Sequence, residues 1–296
     1  MIAFGCSIVA PHVYERCAGA GITRAAERDS IVLAHAASAS VARSYNLLLD
    51  RAAARADLEG LAIVHQDAEL LDRDFCTRLR RAFADPQVAI VGCIGAIGVG
   101  DSIAWWDGTA LHGALTYRQR DPDREVSFGP GLDAPTEVDT VYGVLLALSP
   151  WAVENLRCDE SIGLLNGYDA DLCRQARAAG RKVLVADLGV AHHHSFDLVS
   201  DIETWVAAQM RAADAWETDA PGDDDPAWKP RARRAEAAAG AARLLAASKL
   251  LQLDASIERD RRELKALRTT RSWRITEPLR RGNAIVSDAR KRLKGH

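Results

Sequence analysis

The chain has 296 residues, 48% of them hydrophobic and 27% charged, with a formal net charge of −3. That composition supports a sizeable buried core and excludes disorder as the dominant state. No run approaches 18 uncharged apolar residues, and no basic stretch precedes the apolar start MIAFGCSIVA, so neither a bilayer-spanning helix nor a signal peptide is expected.

In chain order, short apolar runs at residues 2–8, 30–34, 61–64 and 88–93 read as strands, with helical patterns at 13–18, 41–55 and 73–84 between them. Runs apolar on both faces fit parallel strands covered by helices. The expectation is an α/β, Rossmann-like fold with a mostly parallel central sheet. Residues 94–140, including SIAWWDG and an acidic, proline-bearing stretch, read as one long irregular loop of the functional kind. VYGVLLALS then reads as a single strand, PWAVENL as a helix led by Pro150, DADLCRQARAAG as a helix closed by Gly180, and KVLVA as a strand. A helix over residues 201–218 completes the first domain, expected at 1–220. PGDDDPAWKP, 221–230, reads as a linker, and 231–296 as a basic helical tail.

Charge is divided the same way. Residues 231–296 carry 18 basic and 7 acidic side chains, leaving 20 and 34 for residues 1–230. The acidic body argues against nucleic acid as a partner, which needs a positive footprint. Cys6, Cys17, Cys76, Cys93, Cys158 and Cys173 form no CxxC pair and read as reduced packing residues, consistent with a cytoplasmic location. In the tail, Leu250, Ile257 and Leu264 recur at seven with Leu253 and Leu267 beside them, a coiled-coil pattern that Asp260 interrupts.

Chemistry concentrates at strand ends, where open α/β sheets bind ligands. His65–Gln66–Asp67 follows the strand at 61–64. Both His65 and Asp67 suit a metal, while Asp67 as a cap and His65 as a donor to backbone are the plain alternatives. Asp169 and Asp171 open a helix, where an N-cap and a first-turn acid are their ordinary roles. His192, His193 and His194 follow the strand KVLVA, and adjacent side chains diverge, so at most two of them meet one ion. No GxGxxG lies between a strand and a helix, which removes a dinucleotide site of that kind.

Taken in order, these segments resemble the family 2 glycosyltransferases of GT-A fold, in particular the bacterial branch of surface-polysaccharide biosynthesis. HQDAEL looks like that branch's metal and nucleotide-diphosphate motif, and GYDADLCRQARAAGRKVLVADLGVAHHH like its region of base and late histidine. The resemblance implies Asp67 and His192 as metal ligands, His65 and Asn46 beside the nucleotide, and Asp169 as catalytic base. It further implies Mg²⁺ or Mn²⁺, a nucleotide-diphospho-sugar donor, and a glycan or lipid-linked acceptor. Asn46 on its apolar helix either lines the nucleotide pocket or satisfies nearby backbone. Trp105, Trp106, Asp107 and Asp171 are candidate sugar contacts, with core packing the alternative for the tryptophans. TRSWRITEPLR, 270–280, matches a short motif near the ends of related transferases. Two departures stand out. Tyr168 occupies the position of the acidic residue before the base, and the QxxRW signature of processive synthases is absent, which favours one sugar per encounter. The alternatives are a non-catalytic carbohydrate- or scaffold-binding protein of this fold and a sugar-nucleotide nucleotidyltransferase. The basic tail, with Trp273, Ile275 and Leu279, suggests peripheral contact with the inner face of the cell membrane or with a protein.

Overall fold

In the computed structural model the described residues are 1–36, 40–99, 102–118, 124–128, 134–163, 166–193, 202–216, 239, 253–254, 256–270, 273 and 276. β1 (Ile2–Ile8) is centred on a run that is apolar on both faces, and its first five residues are buried. It lies between β2 (Ile31–Ala36) and β3 (Gly60–Val64), parallel to both. The connection to β2 is a helical stretch longer than the sequence suggests: α1 (Pro11–Tyr14), a π-helical turn at Glu15–Gly19, and α2 (Ala20–Ala25). α3 (Val41–Ala53) starts where the Ser40 hydroxyl accepts the Arg43 N–H, and it buries Ala42, Tyr45, Leu48, Leu49 and Ala52. That spacing is one helical face laid on the sheet.

After β3 the chain forms β4 (Ala68–Leu70), α4 (Phe75–Ala82), β5 (Val88–Gly92) and β6 (Ile94–Ile97). The expected irregular loop at 94–140 is not irregular. It contains β6, a 3₁₀ turn at Trp105–Asp107, β7 (Ala110–Tyr117), β8 (Arg124–Phe128) and β9 (Thr136–Val138). The expected single strand at 141–149 is two strands, β10 (Thr140–Val141) and β11 (Leu145–Leu148), split at Tyr142–Val144. There follow α5 (Pro150–Asn155), capped by Ser149, then α6 (Tyr168–Ala178), β12 (Lys182–Val185), β13 (Val190–His192) and α7 (Ile202–Ala215).

These strands make two sheets. One has seven strands in the order β2-β1-β3-β11-β5-β12-β9, and the other runs β10-β6-β7-β13-β4 with β8 on the outside of β7. The first sheet is mixed, which corrects the mostly parallel expectation. β11 runs antiparallel to both β3 and β5, and β9 antiparallel to β12. The physical cause is the turn at 142–144. It returns the chain from the second sheet, so β11 enters the first from the opposite end to its neighbours.

The chain passes between the sheets repeatedly: β3 to β4 through residues 65–67, β5 to β6 through Cys93, β10 to β11 through 142–144, and β12 to β13 through 186–189. All six cysteines are free and buried, as packing residues. The chain divides into two units, Met1–Leu244 and Leu245–His296. In the second, residues 256–269 are helical, and Leu253, Ile257, Leu264 and Leu267 are exposed along it. The expected linker at 221–230 and most of the 270–280 motif lie outside the described residues. Among those described, no helix is long and apolar enough to cross a membrane.

Candidate active site

His65–Gln66–Asp67 is the passage from β3 to β4, and it answers why a fully buried strand ends in three polar residues. The chain leaves one sheet for the other there, so side chains face the gap between them. Each of the three has a separate task. His65 Nδ1 contacts Asp67 Oδ1, and His192 Nε2 reaches the same oxygen at 3.1 Å. Gln66 turns the other way, its Oε1 accepting the N–H groups of Val9 and Ala10 at 2.9 Å each. It thereby holds the loop after β1 against the turn. His192 is brought in by the β13–β4 pairing, which sets it opposite Ala68.

The donor atoms of His65, Asp67 and His192 lie within 4.8 Å of one another. Imidazole nitrogen and carboxylate oxygen attract each other only through a proton or a cation, so this set fits a divalent ion as well as it fits protons. Asp67 is 7% exposed. Burial alone would raise its pKa, but hydrogen bonds from His192 and His65 outweigh burial and hold the carboxyl well below the usual range.

A second buried carboxylate stands behind the first. Glu69 receives Arg24 Nη1 at 2.9 Å, Arg118 Nη1 at 2.5 Å and His193 Nε2 at 2.8 Å. Its pKa is lowered, these partners overcoming the burial that opposes them. The His193 N–H also donates to the Asp67 carbonyl at 2.8 Å. Glu69 thus ties α2, β4, β7 and β13 into one frame around Asp67. The sequence reading missed it because residues 68–70 looked like the approach to a helix. Read as a strand, positions 67 and 69 share a face. Of the three histidines, His192 meets Asp67, His193 meets Glu69, and His194 lies outside the described residues.

Asp169 arrives from the other side, in the first turn of α6. Gly167, at φ 88°, takes the left-handed conformation that starts this helix without a side-chain cap. Asp169 is not the cap that its position suggests. Its Oδ2 accepts the Gly143 N–H at 2.8 Å, and Oδ1 the Ala170 N–H at 3.0 Å. The residue is buried, and burial raises its pKa to about 6 against the backbone donors around it.

The turn 142–144 links Asp169 to the histidine cluster. Gly143 donates to Asp169, the Val144 carbonyl accepts the His65 N–H at 3.0 Å, and the Tyr142 ring lies 5.9 Å from the His192 ring. Asp67 and Asp169 therefore flank one tripeptide.

Other expected contacts are placed differently. Asn46 belongs to backbone: its amide donates to the Cys158 carbonyl at 3.0 Å and accepts the Cys158 N–H at 2.8 Å. These bonds are those of the backbone-satisfying role that the sequence also allowed. Asp171 is likewise committed internally, accepting from the Asp159 N–H and Gln175 at 2.8 and 2.9 Å and from the Trp216 indole at 3.4 Å. Both oxygens of its carboxylate accept from protein groups, and these bonds anchor α6. Trp105 is buried against Tyr142, with ring centroids 5.2 Å apart, and Trp106 packs on Trp205 at 6.3 Å. Trp105 thus packs beside Tyr142, whose ring also neighbours His192. Asp107 ends the 3₁₀ turn, and its side chain is outside the described residues.

Residues 14–220 match the family described as glycosyltransferase-like. The chain belongs to that glycosyltransferase family. The streptomycin biosynthesis protein StrF of Streptomyces griseus is 31% identical over 217 residues, spanning 71% of this chain and 73% of that protein. Two solved structures are more distant. A mannosyltransferase from Pyrobaculum calidifontis, solved with GDP-Man and Mn²⁺, is 15% identical over 93% of this chain and 81% of its own, with a TM-score of 0.46. GalNAc-T7, solved with UDP, GalNAc and Mn²⁺, is 12% identical over 79% and 54%, with a TM-score of 0.49.

Proposed function

We propose that the protein is an inverting, metal-dependent, non-processive glycosyltransferase of GT-A arrangement. In this reading it moves a sugar from a nucleotide-diphosphate donor to a glycan or lipid-linked acceptor during surface-polysaccharide synthesis. The observation that carries the reading is the pairing of two unlike buried acids across the 142–144 turn. Asp67, with His65 and His192, supplies a carboxylate that stays ionised and two imidazoles, a set suited to Mn²⁺ or Mg²⁺. When bound, such an ion offsets the charge developing on the leaving diphosphate. Gln66 fixes the loop after β1 against this turn and so shapes the donor side. Asp169, its carboxyl raised to about 6, accepts the proton of the acceptor hydroxyl as that oxygen attacks the anomeric carbon. A single displacement inverts the anomeric configuration and requires no nucleophile from the protein. Tyr142, Tyr117 and Trp105 wall the site and limit water. Two metal-binding imidazoles favour Mn²⁺ over the harder Mg²⁺.

The relative named for streptomycin biosynthesis supports a second reading of the pathway alone: the same transfer onto a small molecule instead of a polysaccharide precursor. One experiment tests both. A panel of nucleotide sugars is screened with and without Mn²⁺, using extracted lipid-linked glycans in one arm and small-molecule glycosides in the other, with Asp169→Asn as control. Metal-dependent donor binding by both proteins, with transfer by the wild type alone, is the expected result. Full transfer by Asp169→Asn removes the base assignment.

A further inference from the structure

Tyr168 precedes the proposed base and points at the same glycine. Its hydroxyl donates to the Gly143 carbonyl at 3.3 Å, while the Gly143 N–H donates to Asp169 Oδ2 at 2.8 Å. The two polar groups of Gly143 are thus gripped by consecutive residues of α6. A Cβ built at Gly143 would overlap the Tyr168 hydroxyl and ring, so the phenol lies directly on the glycine. Tyr168 is fixed in turn by Tyr45 of α3, with ring centroids 4.9 Å apart in an edge-on arrangement.

We propose that Tyr168 is a positioning residue that orients the Gly143 N–H toward Asp169, and so sets both the direction and the basicity of that carboxylate. The inference rests on the reading of Asp169 as the base. The chemistry requires a donor at position 168. A carboxylate there would meet the Gly143 carbonyl with like partial charge, whereas a phenol satisfies it. The N–H and C=O of Gly143 belong to the peptide groups on either side of its Cα, and a glycine turns easily about the two bonds between them. With the C=O held by Tyr168 and the N–H by Asp169, those rotations are fixed and the N–H keeps its direction.

The test reads Asp169 directly and needs no substrate. Infrared difference spectra of the carboxyl band across pH 4–8, with Asp169→Asn to identify the signal, report its midpoint. Titratable groups facing it are Tyr45 from α3, Tyr142 and Tyr168 at the turn and on α6, and Cys158 and Cys173. Burial raises every one of these, so none changes charge over this range. In Tyr168→Phe the N–H drifts from the carboxylate, and because it favours the charged form the midpoint rises by roughly half a pH unit or more. Transfer falls about tenfold with Mn²⁺-dependent donor affinity unchanged, the signature of a misplaced base. Tyr45→Leu, which removes the ring packed edge-on against Tyr168 and leaves Gly143 untouched, moves the midpoint the same way by less. If both folded variants keep the wild-type midpoint while Asp169→Asn is inactive, the clamp is overturned and the base stands. If Asp169→Asn transfers sugar at the wild-type rate, the reading of function fails, and the clamp loses its catalytic meaning.

Discussion

Asp67 and Asp169 are both buried aspartates at the boundary of the same two sheets, and their surroundings drive them in opposite directions. Asp67 is met by two imidazoles, whose hydrogen bonds outweigh desolvation and keep it ionised. Asp169 is met by backbone N–H groups alone, and desolvation prevails, lifting it to about 6. The lesson is that a carboxylate's role is set by the charge of its partners more than by its depth. One acid is held as a permanent anion, fit for a cation. The other is poised to gain and lose a proton near neutrality, as a base requires.

The comparison breaks most visibly at Asp169. Asp169→Asn keeps the shape but removes the proposed base, and transfer should fall by about 10²–10⁴-fold with donor affinity in Mn²⁺ unchanged. Asp67→Asn should do the reverse. Mn²⁺ affinity by calorimetry is expected to drop by more than about a hundredfold, since the loss of mere supporting partners already costs 10–100-fold. Equal loss of metal binding in both variants would erase the distinction between the two acids.

Stability against pH sharpens the contrast. The folded pKa of Asp169 lies above its ordinary 3.8, at about 6. The folded state therefore binds this proton more tightly than the unfolded state. Its contribution is full below about pH 4 and disappears as pH rises through 6, a cost of about 3 kcal/mol by pH 8. Asp169→Asn removes that term, so chemical denaturation should find the variant more stable than wild type at pH 8, with the advantage gone at pH 4. A smaller effect belongs to Asn46. Asn46→Ala strands the N–H and carbonyl of Cys158 and should cost about 2 kcal/mol in urea unfolding while leaving nucleotide affinity intact. A collapse of nucleotide binding with unchanged stability would restore the pocket role that its position on α3 first suggested.

Several features were legible before the fold was known, for local reasons. β1, β3 and β5 announce themselves as short runs apolar on both faces, and α3 by its capping serine and 3–4 spacing. HQD and the late histidines are visible because polar residues directly after a buried strand need a purpose. What escaped was strand content within 94–140. Its strands are short, and part of their pairing comes from far along the chain, β7 with β13. Glu69 escaped with them, since its three partners come from α2, β7 and β13.

By itself, then, the sequence determined which side chains carry charge at strand ends and which segments are hydrophobic enough to be strands, because both are properties of a few neighbouring residues. Only the tertiary structure decided that Asp67 and His192, 125 positions apart, share one oxygen contact, that Asn46 serves backbone, and that Tyr168 and Asp169 grip a single glycine. Those outcomes depend on how two sheets meet, and sheet pairing is a long-range choice made by register and burial together.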